Sequence, residues 1–186
     1  MRTTPWIFSL VIGLVVLPVR SAETVLTPDD VLAMMARVPA SEHVPHAKPA
    51  PWHKIRDARV IAKAIARAAR TPEEASRMVV YDVWESGNDS HARGDFDKTG
   101  HAQALGAWQL HNVPAEIADN PYKAVFAWRD LADMNAKMCA DHPEAERLAG
   151  LASGSCDRAL DKVRHRDEVS HQIITPLDES AEAALP

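Results

Sequence analysis

Tyr81-Asp82-Val83-Trp84-Glu85-Ser86-Gly87, then a polar loop, then Gly106-Ala107-Trp108-Gln109-Leu110, is the stretch on which the fold turns. Its first cluster ends a helical pattern. That helix starts at Thr71-Pro72-Glu73-Glu74, where the Thr71 hydroxyl can accept from the Glu74 amide while the Glu74 side chain reaches back. Ala75, Met78, Val79 and Val83 make its apolar stripe, Val80 and Trp84 widen it, and Gly87 offers a left-handed stop. On a helical wheel Glu85 falls one turn after Tyr81, at the margin of the stripe, which predicts a half-buried carboxyl. It also sits in the last turn, where the negative end of the macrodipole disfavours a further negative charge. Burial and dipole both raise a carboxyl pKa, as a general acid near neutral pH requires. The plain alternative is a solvated Glu at a helix end.

Outward from this stretch the pattern is helical on both sides. Asn88, Asp89, Gly94, Asp95, Asp97 and Gly100 carry turn chemistry and predict a small irregular hairpin between Asn88 and Gln103. Asn120-Pro121 opens a helix in which Ala124, Trp128, Leu131 and Met138 keep helical spacing, and which ends at Cys139. Short helices are predicted for Glu144 to Ala152 and for Cys156 to about His165, and the acidic tail 173–186 is expected to be disordered. Upstream, Ala58, Ile61, Ala62, Ile65 and Ala68 mark an amphipathic helix from Ile55 to Ala69. Thr27-Pro28-Asp29-Asp30 starts a short helix. Pro39, Pro45, Pro49 and Pro51 then indicate a linker, so residues 22–51 read as a short helix with a Pro-rich linker and residues 52–172 as the packed domain.

With 186 residues, 46% of them hydrophobic, the chain can bury one sizeable core. Arg2, the apolar run Trp6 to Leu17 and the small residues around Val19 to Ser21 read as a signal peptide over residues 1–21, an uncleaved anchor being the alternative. The protein is therefore expected to be exported, to the periplasm or beyond the cell, with no membrane span after cleavage. In such a compartment Cys139 and Cys156 have one possible pairing, the alternative being two buried free thiols. The formal charge of -5 argues against a nucleic-acid partner. His91, His101 and His111 recur in the loop region without the helical spacing of a metal site, so neither metal nor cofactor is expected. A monomer is expected.

Glu85-Ser86-Gly87 followed about two dozen residues later by Gly106-Ala107-Trp108-Gln109 resembles the E-S-G and G-x-x-Q signature of the soluble lytic transglycosylase group in the lysozyme-like superfamily. The likeness covers roughly Trp52 to Arg166. It implies a mainly α fold, of the α+β lysozyme-like kind, with a small β element beside an active-site cleft. It also implies action on the β-1,4 bond between N-acetylmuramic acid and N-acetylglucosamine in peptidoglycan glycan strands. Carried over, Glu85 is the catalytic acid and then base, Ser86 orients it, and Gly106, Trp108 and Gln109 line the substrate subsites. Leu151 stands where the family often has a Tyr, which leaves Tyr81 as a candidate for that hydroxyl. Transglycosylases resembling this chain need one Glu, because the muramyl C6 hydroxyl attacks intramolecularly to give a 1,6-anhydro product. Asp95 and Asp97 are candidates for the second acid of a hydrolase, though Asp beside Gly in a turn usually bonds its own backbone. The expectation is a lytic transglycosylase, with a lysozyme-type hydrolase or a non-catalytic murein-binding module as alternatives.

Overall fold

The computed structural model describes residues 25–42, 54–142, 156 and 160–182, with the side chains of 54–56, 160 and 175–182 left out. The signal peptide, most of the Pro-rich stretch, the helix predicted at Glu144 to Ala152, and Leu151 all lie outside the described residues. The described part is mostly helical with one small antiparallel sheet.

Helix α1 spans Pro28–Arg37, and its start is closed by a complete capping box between Thr27 and Asp30. A short 3-10 turn covers Ala40–Glu42. Helix α2 spans Lys54–Ala68 and α3 spans Pro72–Glu85. Thr71 caps α3 by accepting from the Glu74 amide. Glu74 does not reach back to Thr71, however; it accepts from the Arg70 amide at 2.6 Å, and Arg70 also reaches Asp133. The sheet follows in the order β1 (Arg93–Phe96), β2 (Ala102–Leu105) and β3 (Leu110–His111). The hairpin predicted for this region thus gains a third strand, whose two residues are too few to show an alternating pattern. A single turn, α4 (Ala115–Ala118), leads to α5 (Pro121–Met138), which Asn120 caps through the Tyr122 amide. The last helix, α6, spans Leu160–Glu182.

One core joins these elements. Val31 and Met34 of α1, Ile61 and Ile65 of α2, Met78 and Val79 of α3, Val125 of α5 and Ile173 of α6 are essentially inaccessible to solvent and belong to one cluster. Two boundaries therefore differ from those expected. Helix α1, placed by the sequence outside the domain, belongs to its core, because its stripe Val31, Met34 and Met35 matches a face left open by α2 and α3. Residues 173 and 174 are helix rather than loose tail: both isoleucines are buried, and Arg37 donates to the Ile173 carbonyl at 3.1 Å. Apolar burial outweighs the acidic composition that follows.

Cys139, fully buried at the end of α5, is bridged to Cys156 with the two Cα atoms 5.6 Å apart. The bridge closes a loop of 17 residues in sequence separation. On the chain-entropy account this stabilises by about 3 kcal/mol. Replacing both cysteines by Ala is expected to lower the thermal midpoint by roughly 6–12 °C, read by circular dichroism against the unreduced wild type.

Candidate active site

Helix α3 ends on residues that serve two different purposes. Ser86, in the capping position, is buried, and its hydroxyl donates toward the Asp82 carbonyl and carboxylate at 3.1 and 3.0 Å while accepting from the Asp89 amide at 3.1 Å. Gly87 then takes φ +67 and returns its amide to the carbonyls of Asp82 and Val83. Asn88 is also left-handed, at φ +66. The hydroxyl of Ser86 therefore fastens the turn and does not touch Glu85.

Glu85 points the other way. Its side chain is 20% exposed, the half-burial expected from the wheel, and its Oε1 lies 2.8 Å from Nη2 of Arg166 on α6. Arg166 itself is 4% exposed. Its guanidinium carbon lies 4.4 Å from the centre of the Trp84 ring and 4.7 Å from that of Tyr81. Two aromatic faces and one carboxylate thus compensate a buried cation. His165, the neighbour of Arg166, lies tilted against Trp84 with ring centres 5.5 Å apart and pairs with Glu42 at 3.1 Å. No spacing in the residues points to this partner, because α6 reaches α3 only through the tertiary fold.

The second half of the motif is bound to the same helix. The turn Gly106 to Gln109 follows β2, and the Trp108 indole donates to the Met78 carbonyl of α3 at 3.0 Å. Gly106 takes φ +75, with its amide on the Ala92 carbonyl and its α-carbon against the backbone of Ala118. Gln109, at φ +46, folds its amide back onto the Gly106 carbonyl at 2.8 Å and lies against Gly94 of β1, so close that a Cβ there would meet its Oε1. The loop of Glu85 and the turn of Gln109 thus form one packed unit.

Of the residues carried over from the resemblance, Glu85 is the one carboxyl, and it keeps access to solvent. Tyr81, Ser86, Trp108 and Gln109 are each 9% exposed or less and face inward. Trp108 packs in the core and presents no ring face to a sugar. Tyr81 tilts against Trp128 at 5.5 Å, and burial pushes its phenol pKa up. Asp97 is a turn former: it accepts from the Thr99 amide and hydroxyl and the His101 amide, and the Thr99 hydroxyl holds its carboxyl below the usual range. Asp95 pairs with His111 at 3.1 Å. His101 turns to Thr99, and His91 stands beside Asp57 and Asp89, so the three loop histidines do not converge.

Sequence reasoning passed over Asp82. Its side chain is fully buried, and burial pushes its pKa well above the usual carboxyl range, opposed by Ser86 and reinforced by the charges of Asp57 and Asp89. The folded state then keeps a proton that the unfolded chain gives up above pH about 4. Its contribution to stability is complete below that pH and is lost as pH rises through the raised value. In chelator-treated protein, Asp82→Asn is therefore expected to gain thermal midpoint over wild type between pH 4 and pH 7, and a difference that stays flat with pH would refute this assignment.

No family model matches the chain, and neither a curated protein nor a solved structure matches it.

Proposed function

We propose that the protein is an exported peptidoglycan-cleaving enzyme of the lytic transglycosylase kind, with Glu85 as its one catalytic carboxyl. The observation that carries this reading is the joining of the two motif halves. Glu85 ends α3 with its side chain 20% exposed, and the Gly106 to Gln109 turn is fastened to the same helix through Trp108 and to the neighbouring sheet through Gln109. A mostly helical frame with a small antiparallel sheet beside that helix agrees with a lysozyme-like architecture. The Cys139–Cys156 bridge suits an oxidising compartment. Among the described residues no helix is long and apolar enough to cross a membrane.

In this mechanism Glu85 protonates the glycosidic oxygen as the bond to the muramyl C1 breaks. The resulting carboxylate then takes the proton of the C6 hydroxyl, whose oxygen closes on C1. No water is consumed, and Glu85 regains its proton for the next turnover. Arg166 compensates the charge that the carboxylate carries between the two proton transfers, while the Trp84 and Tyr81 rings hold the guanidinium in place. An intramolecular attack needs no second acid, which agrees with Asp97 serving its own turn and Asp95 pairing with His111.

Product masses from purified sacculi test the reaction type. Anhydro-ended muropeptides are the expected product, and reducing ends alone would turn the assignment to a hydrolase. A non-catalytic murein-binding module is the second reading, favoured by the ion pair that occupies Glu85 and by the inward-facing Gln109. It predicts that sacculi retain the protein and release nothing.

A further inference from the structure

Around the turn that follows Glu85 the fold gathers donors from two elements far apart in sequence. Asp57 comes from α2, Asp89 and His91 from the loop that leaves α3. One ligand atom from each lies within 4.8 Å of the others. Asp57 is 9% exposed and Asp89 inaccessible, while His91 opens the cluster to solvent. The Ser90 hydroxyl lies 3.1 Å from Asp57 Oδ2 and 2.9 Å from His91 Nδ1, so one group orients two of the three donors.

A separate observation points to a ligand. Asp82 is fully buried in the same neighbourhood, with Asp57 and Asp89 as the acidic charges it feels. Its Oδ1 accepts from Ser86, but its Oδ2 is buried without a hydrogen-bond partner. Buried carboxylates are retained where they are paired or coordinate a metal. Asp57 and Asp89 thus bring two buried carboxylates together behind one turn, with the exposed His91 imidazole beside them.

We propose that Asp57, Asp89 and His91 bind a first-row divalent cation, zinc by donor chemistry, which staples α2 to the loop behind Glu85. Carboxylate oxygen and imidazole nitrogen are both zinc donors, and water can complete the set, whereas calcium and magnesium favour oxygen alone. A tetrahedral zinc places donors about 3.3 Å apart, so binding draws the three atoms together. The exposed His91 side chain can make most of that movement. The cation would fix the turn that follows Glu85 whether or not Glu85 is catalytic. No metal was expected from the spacing of His91, His101 and His111; that Asp57 and Asp89 meet beside His91 is set by the tertiary fold.

The test is thermal unfolding and equilibrium dialysis of the chain stripped with a chelator, then titrated separately with Zn2+, Mn2+ and Ca2+. Zinc is expected to bind one per chain and to raise the midpoint by roughly 5–10 °C at about a hundredfold over Kd. His91→Ala, at an exposed position, should keep the fold and lose at least about tenfold in affinity. Asp57→Asn and Asp89→Asn should lose the response and yet, without cation, unfold no earlier than wild type, since each relieves charge repulsion while keeping an oxygen acceptor. The remaining histidines of the nine in the chain provide the control: a zinc response of equal size in all three variants overturns the site. So does the absence of any shift with the three cations, and a response to Ca2+ alone overturns the zinc assignment.

Discussion

Replacing Glu85 by Gln is expected to cut muropeptide release by about 10²–10⁴-fold, the usual contribution of a positioned general acid and base. The same substitution should also cost about 3 kcal/mol of stability, because it leaves the buried guanidinium of Arg166 with an uncompensated charge. The reverse deletion is milder. Arg166→Met strands a carboxylate that is 20% exposed and can turn to water, so about 1–2 kcal/mol is expected. Urea unfolding of the two variants reads this asymmetry, and equal losses would contradict it. Activity is to be measured well below the unfolding midpoint of Glu85→Gln, so that loss of chemistry and loss of fold are read separately.

Gly106→Ala is the second large effect. A Cβ there would stand 2.1 Å from the Ala118 carbonyl oxygen and 2.8 Å from its carbon, both backbone atoms that cannot swing aside. The residue also sits at φ +75, where an L side chain is strained. Together these should cost about 3–4 kcal/mol, a fall of roughly 10 °C in midpoint. Gly100 is the matched control. It has φ +85 with nothing within 4 Å of the added Cβ, so Gly100→Ala should cost only about 1 kcal/mol. If both variants unfold alike, the turn is not seated against α4 as described.

Much of this arrangement was legible in the residues. The period of α3 placed Glu85 at the edge of the core, Gly87 marked the left-handed exit, and Thr27, Thr71 and Asn120 marked the starts of α1, α3 and α5. The single cysteine pairing was legible because only two cysteines exist. What stayed hidden is long-range. Arg166 reads in sequence as one more charged residue of a polar helix, and only the packing of α6 on α3 makes it the partner of Glu85. The prolines after α1 suggested a boundary, yet Val31 and Met34 are in the core. Trp108 could be read as a sugar platform or as a core residue, and its hydrogen bond to Met78 settles its position in the core. Asp82 carried no assignment in the sequence, since burial of a carboxyl leaves no trace in a pattern of apolar spacing.

One paired measurement tests whether Glu85 is the carboxyl that breaks the glycan strand. Purified sacculi are incubated with wild type and with Glu85→Gln, and the released muropeptides are resolved by mass. Anhydro-ended muropeptides are expected from wild type and almost none from the variant. No release by wild type, or equal release by both, would contradict it.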